Sequence, residues 1–536
     1  MAGGRAFATL ADLSSVVRNW VASPSTAGLV EPAKTAFAIL DSGGEIFVIV
    51  LLHPRSIRRA RNRRFPLSVL ALGAMLEGRE EYEIVDGNID PDPASTIDGI
   101  VRERQVDALC VSLMPGPQMV AAIDLSKRFR AKHPKIPIVW GGYFPSLYPD
   151  AALNSSYVDV VVRGQGEDTF LELLAALRSG RDFRNIQGVS YRDQFGLYVH
   201  TRDRGIRSPG DFPWMPYHRL REPHKYLART FLGNRTAVHQ ASVGCPFRCK
   251  FCGVTEVAGG RQKSERPERT AAILTHLQRQ FAIDAVQFYD NNFFLREDDS
   301  AELAERITPL KLGWWCEGRI DILLRYSDRT LAALRRSGCK MIFLGAESGS
   351  DEILRQMDKQ LTSAQTLELA RRIREFGIIP EFSFVIGNPK DPESDLQTNM
   401  RFIRRLKSVN PEAEIIIQHY TPTPHPDGMY GEIDGKIAFP KTPDEWASPR
   451  WYNFTVRQDP ALPWLPRRIK RLIDAFETVM ACRWPTIQDS RLSRWARAAL
   501  KGLSWWRYAF NFYKWPRELE VAQMVLQPRD PRVESL

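Results

Sequence analysis

Short apolar runs alternate with amphipathic helical periods twice along this chain, and no other feature restricts the fold as much. Between 45 and 175 the runs "IFVIVLL", "YEIVD", "ALCVSLM", "PIVWGG" and "VDVVVRG" are separated by segments such as "LSVLALGAMLEG" and "MVAAIDLSKRFRAKH", and "DTFLELLAALRSG" follows the last. Runs that are apolar throughout belong to parallel sheets covered on both faces, and the intervening helices are the covers. An α/β, doubly wound parallel sheet is therefore expected over 41–180, behind an N-terminal extension over 1–40. From 236 onward the pattern restarts: "TAVHQASVG", "AVQFYDNN", "GWWCEGR", "MIFLGAES", "PEFSFVIGNP" and "AEIIIQHYTP" alternate with helices such as "PERTAAILTHLQRQF". Six strand and helix units in succession predict a partial (β/α)6 barrel of the TIM type over 231–430. Residues 181–230, rich in Pro, Arg and aromatics without period, read as a surface linker. Residues 431–536 read as a mainly helical region rich in aromatic and basic residues.

The chain has 536 residues, of which 43% are hydrophobic and 26% charged, which fits several packed domains and excludes disordered and fibrous classes. Its longest apolar run, "IFVIVLL", is far short of the roughly 18 residues a spanning helix needs. The N-terminal "MAGGRAFATLADLSSVVRNW" is broken by Arg5, Asp12 and Arg18, unlike a secretory signal, so a cytoplasmic location is expected. Cys110, Cys316, Cys339 and Cys482 are scattered and suggest no disulfide framework. The formal charge of +11 bears on partners and solubility, not on fold.

Open α/β sheets bind ligands at the carboxyl ends of their strands. In the first sheet those ends carry His53-Pro54, Asp86-Gly87-Asn88, Ser112 to Gly116, Gly141-Gly142 and Gly164-Gln165-Gly166-Glu167. One glycine doublet is a plain tight turn as readily as a ligand cradle. Several on one sheet favour the cradle.

The remaining three cysteines lie within eight positions, in "SVGCPFRCKFCG". Three thiolates leave the tetrahedral shell of structural zinc one ligand short, no histidine occurs in the next twenty residues, and His239 upstream is the only local candidate. Thiolates also suit iron–sulfur clusters, which ordinarily take four cysteines, so three leave one iron open. "GCPFRCKFC", with Cys245, Cys249 and Cys252, resembles the CxxxCxxC signature of the radical S-adenosylmethionine (SAM) enzymes, and its place after the first barrel strand agrees. The resemblance implies a 4Fe-4S cluster whose open iron holds the amino and carboxylate groups of SAM.

"FYDNNF", "WCEGRID", "LGAESGSDEIL" and "FVIGNP" resemble later strand ends in that superfamily's branch with an N-terminal cobalamin-binding domain. The resemblance implies Phe251 near the adenine, Asp290, Glu317, Arg319, Glu347 and Ser348 around the ribose and carboxylate of SAM, and Gly387 making room for the nucleoside. Taken one at a time, the charged residues are as well explained by ion pairs closing a barrel. The region 41–180 resembles the Rossmann-like cobalamin domain of the same branch, chiefly through "GGYFPSLYPD" and "VVRGQGEDTFLELL". Ser112, Gly141, Gly142, Tyr143, Gly164 and Glu167 are its candidate cobalamin contacts. The chain lacks the Asp-x-His-x-x-Gly run that supplies cobalt with a lower protein ligand, a departure that methyl transfer tolerates because axial ligation tunes the metal.

"HPRSIRRARNRRFP" holds six arginines between 55 and 64, readable as a solvated loop or as a grip for phosphates, and it lacks the interleaved aromatics of single-strand nucleic-acid binders. Eight of the thirteen tryptophans lie beyond 430, and residues 464–517 carry twelve Lys or Arg against three acids. This region either caps the barrel and walls the substrate pocket or lies on a membrane surface, and both choices favour an apolar or aromatic substrate.

The family resemblance implies a cobalamin-dependent radical SAM enzyme, a C-methyltransferase working through a 5'-deoxyadenosyl radical and methylcobalamin on a small molecule, with a flavodoxin or ferredoxin as electron donor. A radical cyclase or rearrangement enzyme without methyl transfer is the alternative, and a metal-stabilised binding protein without turnover is the option outside enzymes. An RNA methylthiotransferase is disfavoured, since no second three-cysteine set occurs. No catalytic residue is assigned; Cys316 and Tyr289 are candidates that core packing explains equally well.

Overall fold

The computed structural model describes residues 47–56, 63–422, 429–431, 435, 437–455, 464–488 and 492–526. The N-terminal extension and the centre of the arginine-rich loop, residues 57–62, lie outside the described residues.

The first sheet has seven strands: β1 (Phe47–His53), β2 (Glu81–Asp86), β3 (Gln105–Ser112), β4 (Ile138–Gly141), β5 (Val160–Val162), β6 (Val189–Arg192) and β7 (Tyr198–His200), in the spatial order β2-β1-β3-β4-β5-β6-β7. The first five are parallel, and Val48 to Leu52 of β1 are wholly buried, as a strand covered on both faces must be. The strand order reverses at β1 and β3, the kind of switch point where such sheets open a crevice. One feature differs from the sequence expectation. Residues 189–200, inside the stretch read as a linker, form an antiparallel hairpin that extends the sheet through β5. Its strands are only four and three residues long, too short to leave a periodic signal.

The second sheet contains β8 (Thr236–His239), β11 (Ala285–Phe288), β12 (Gly313–Gly318), β13 (Cys339–Glu347), β14 (Ile379–Ile386) and β15 (Glu414–His419), all parallel and ordered β15-β14-β13-β12-β11-β8. It is the expected six-unit barrel, left open between β15 and β8 among the described residues. A small ribbon of β9 (Ser242–Gly244) and β10 (Gln262–Ser264) flanks the cysteine loop.

Among the described residues the C-terminal region is mainly helical. A capping helix (Arg467–Arg483) leads to an outer helix (Arg494–Ala509) and a terminal helix (Arg517–Leu526). Ahead of them, Trp446 is buried against Phe144 and Tyr148, with ring centroids 5.7 and 4.6 Å away, while the Tyr157 hydroxyl donates to Asp444 at 3.1 Å. Burial of one such ring contributes roughly 1.5–3 kcal/mol. The C-terminal region thus clamps the first domain against the barrel. No helix among the described residues is long and apolar enough to cross a membrane.

Candidate functional site

The chain leaves β9 at Gly244, whose φ is +82° and where a Cβ would lie 2.2 Å from the Arg261 carbonyl oxygen, so only glycine fits. Cys245, Cys249 and Cys252 follow before a short helix (Gly253–Ala258). The Lys250 amide donates to the Met357 carbonyl at 3.0 Å, and that of Cys252 to the Cys249 carbonyl at 3.0 Å, which fixes the loop's curl. Burial, with smaller contributions from the neighbouring thiolates, raises the Cys245 thiol and pushes Cys252 up to about 11. Such thiols ionise when a metal replaces the proton.

Cations stand ready for that charge. Arg319 is buried, places Nη1 3.5 Å from Cys249 Sγ, and stacks its guanidinium 3.6 Å from the Phe247 ring centroid. Asp321 holds its Nε at 2.9 Å, and Nη2 donates to the Lys359 carbonyl at 2.5 Å. Lys359 Nζ lies 2.6 Å from Glu347 Oε1 and 5.7 Å from the Phe251 ring centroid. Burial pulls Lys359 downward, but Glu347 and the Cys249 thiolate outweigh it and hold the ammonium above its ordinary value.

The backbone around this pair is strained in three places. Glu347, Asp358 and Gln360 all have positive φ without being glycine, each worth of the order of 1–3 kcal/mol. A register shift between β13 and β14 at Gly345 to Glu347 re-aims the carboxylate. A Cβ on Gly345 would meet Glu347 Oε1 at 2.0 Å and Lys359 Nζ at 2.6 Å, so the glycine of "LGAES" is the space the pair occupies.

The other barrel residues divide by role. Asp290 accepts from the Ser242 hydroxyl at 2.6 Å and the Ala241 amide at 3.2 Å, bracing the strand that leads into the cysteine loop. Ser348 is buried beside Glu347, its Oγ accepting from the Ser350 amide at 3.1 Å. Gly387 has φ of +103° and its amide donates to Asp395 at 2.8 Å. Phe251 packs against Ile353, Met357, Val385, Tyr420 and Tyr430. Cys316 is wholly buried with its thiol pushed far up, which fits packing, whereas Tyr289 borders the cavity described next.

That cavity has a volume of about 1570 Å³ and opens between the two sheets. Ordinary ligand pockets hold about 300–1,000 Å³, so there is room for more than one ligand. Its lining includes Ser112, Gly141, Gly142, Tyr143, Gly164 and Glu167 from the first sheet, and Tyr289 and Glu317 from the barrel. Gly142 has φ of +98° and a Cβ there would lie 2.6 Å from the Leu113 carbonyl oxygen; Gly164 also has positive φ, at +69°. The glycines leave stretches of backbone bare between Ser112, Tyr143 and Glu167, at the strand ends where open sheets take their ligands. Tyr143 reaches across to the barrel, for a Cβ on Gly253, next to Cys252, would fall 2.0 Å from its hydroxyl.

Opposite, Glu317, Glu381 and Glu414 are among the carboxylates that line the cavity. Burial pushes Glu317 up to about 7, with Glu381 and Asp290 adding to the shift. Glu381 accepts from Trp315 Nε1 at 3.0 Å and Gln488 Nε2 at 2.6 Å, and Gln488 also donates to Glu414 at 2.9 Å. Sequence reading missed Lys359, Asp321, Glu381 and Gln488. The strain around Lys359 and the pairing of Glu381 with a residue 107 positions away exist only in the fold.

Among the described residues no three His, Cys, Asp or Glu side chains converge on one metal ion. A cubane instead takes each thiolate on a different iron, and the loop's three thiols, faced by Arg319 and Lys359, fit that use. The glycine floor of the first sheet fits a cobalamin.

Comparisons with known proteins agree with this division. A family model described as the radical SAM superfamily matches residues 240–403, and one described as a B12 binding domain matches residues 57–174. The chain is 26% identical to an uncharacterized methyltransferase of Pyrococcus horikoshii over 64% of this chain and 73% of that protein. It is 24% identical to an anaerobic magnesium-protoporphyrin IX monomethyl ester cyclase of Rubrivivax gelatinosus over 57% of this chain and 54% of the cyclase, about half its length. In fold it is similar to the cobalamin-dependent SAM radical enzyme OxsB, whose structure holds aqua-cobalamin and SAM, with a TM-score of 0.66 at 16% identity over 91% of this chain and 74% of that one. The two domains accordingly take a 4Fe-4S cluster with SAM and a cobalamin.

Proposed function

Because the chain belongs to the radical SAM superfamily and carries a B12-binding domain ahead of its barrel, we propose that it methylates an unactivated carbon of an apolar or aromatic small molecule. The observation that carries this reading is the single cavity lined by the strand ends of both sheets, since a radical and a methyl group must reach the same atom. When bound, the cluster with SAM supplies a radical that removes hydrogen from carbon, and the cobalamin supplies the methyl group.

The chain's own residues bind, orient and exclude water. Cys245, Cys249 and Cys252 hold the cluster, Arg319 offsets its charge at Cys249, and the Glu347–Lys359 pair with Ser348 and Phe251 frames the SAM pocket. Gly141, Gly142, Tyr143, Gly164, Ser112 and Glu167 cradle the cobalamin, while Glu317, Glu381 and Gln488 offer polar anchors to the substrate in a chamber of mixed lining, where Trp315, Phe343 and Met480 stand beside Arg269, Lys407 and Glu414. A one-electron donor of the flavodoxin or ferredoxin type serves the cluster. The likeness to a cyclase favours a second reading, radical ring closure without methyl transfer.

Anaerobic reconstitution with iron and sulfide, followed by cobalamin, SAM and reductant, tests both. Formation of 5'-deoxyadenosine establishes radical chemistry, and a product heavier by one methylene unit supports methylation. Loss of two hydrogens without added carbon supports ring closure, and absence of 5'-deoxyadenosine leaves neither.

A further inference from the structure

The outer helix is built inside out. Its buried side consists of Ala496, Leu500, Ser504 and Arg507, and at 3.6 residues per turn these fall on one face. One exposed flank carries Trp495, Ala498, Ala499, Gly502, Leu503 and Trp506 and runs on into Phe510, with exposed Trp505 beside it and Arg494 and Lys501 along its far edge. Trp495 is 86% exposed and Phe510 73%, and beyond the helix Trp515 is 77% exposed. Surface helices of globular proteins turn their charges outward, and isolated apolar residues on a surface need no explanation, but a continuous aromatic face does.

We propose that this face is a docking surface for an anionic lipid leaflet, through which an apolar substrate passes from the bilayer into the cavity; the second half rests on the reading of the cavity as the site of an apolar small molecule. Three observations carry it. First, the apolar face is flanked by cations: Arg494 and Lys501 lie together along one side, Lys514 and Arg517 follow, and the helix contains no acid. Rings at the acyl boundary with cations at headgroup level are the composition of an interfacial helix. A second copy seated on this face by two-fold symmetry would instead bring like charges together.

Second, the surface is held as one piece. Arg507 is buried and donates to the carbonyls of Lys514 at 2.9 Å and Trp515 at 3.1 Å, pairs with Glu518 at 2.9 Å, and stands 4.7 and 5.2 Å from the rings of Trp506 and Phe512. It locks the outer helix, the following turn and the start of the terminal helix into a single platform. Third, the cavity reaches that platform. Glu520, Gln523 and Met524 of the terminal helix line it, Met524 is also exposed, and Val521 and Val525 of the same helix face solvent.

The test is flotation of the full-length protein with vesicles of phosphatidylcholine alone and of phosphatidylcholine with phosphatidylglycerol. The variant Trp495→Ser/Trp506→Ser/Phe510→Ser is run alongside, with its melting temperature as a check on folding. The expected result is binding to anionic vesicles, several-fold weaker in high salt, and reduced at least tenfold in the variant at unchanged melting temperature. Absence of wild-type binding, equal binding by the variant, or a dimer that the variant dissolves would each overturn the proposal. Yield of 5'-deoxyadenosine without vesicles is read on both proteins. Equal yields beside lost vesicle binding place the residues in docking, and no yield from the wild type would sink the proposed chemistry while leaving the docking result standing.

Discussion

The strand ends of the two sheets are built by opposite means. At the strand ends of the first, the chain withdraws: Gly142 and Gly164 adopt positive φ and present backbone where side chains would stand. At those of the barrel it crowds in charge: Arg319, Asp321, Glu347 and Lys359 are all buried and mutually paired. A large ligand that makes many contacts is held by shape, at little cost to the empty protein. A small cosubstrate with an amino and a carboxylate group, beside an anionic cluster, needs fixed countercharges, and burying these costs several kcal/mol per ion unless they are paired in advance. The strained backbone sits on the charged side, at Glu347, Asp358 and Gln360.

Substitutions can separate the two halves. The largest effect expected is that of Cys249→Ala, which abolishes 5'-deoxyadenosine formation and lowers bound iron while leaving cobalamin binding intact; iron analysis and cobalamin absorbance on one sample check it. Lys359→Met strands Glu347 as a buried carboxylate without its partner, at a cost of about 3 kcal/mol in unfolding free energy, measurable by denaturant titration.

Next comes pH. The Glu317 carboxyl ionises at about 7 in the folded chain against an ordinary value of 4.5. The unfolded chain therefore loses this proton first, and stability falls as pH rises between those two values, by roughly 3 kcal/mol through this group alone. Glu317→Gln should flatten that fall, and denaturant titrations of both proteins at pH 5 and pH 8 measure the difference. The smallest effect belongs to the first sheet. Gly142→Val sets a β-branched residue at a positive φ, itself a strain of about 1–3 kcal/mol, and drives its Cβ within 2.6 Å of the Leu113 carbonyl oxygen; it should weaken cobalamin binding at least tenfold with iron content unchanged. Equal loss of iron in that variant would mean that the halves are not separable.

Strand order along the chain and the cysteine loop were readable in the sequence because both are local: a buried parallel strand is a run of Val, Ile and Leu, and three thiols in one loop need no tertiary partner to be noticed. The glycines at the strand ends of the first sheet were readable because they carry the conformational requirement in the residue itself, as Gly142 shows. Lys359 was not, since a lysine in "MDKQ" gives no sign that the fold will bury it against Glu347. Nor was Gln488, which meets Glu381 and Glu414 only once the C-terminal region folds back over the barrel. The C-terminal region divides in the fold: Asp474 and Glu477 of the capping helix line the cavity, while the outer helix turns its rings to solvent.

The central claim is that both cofactors share one chamber, and electron paramagnetic resonance of protein carrying a reduced cluster and cob(II)alamin together tests it most directly. The account expects each paramagnet to broaden the other's signal through dipolar coupling, and the coupling to vanish in Cys249→Ala. A spectrum that is the plain sum of the two centres measured separately would contradict it.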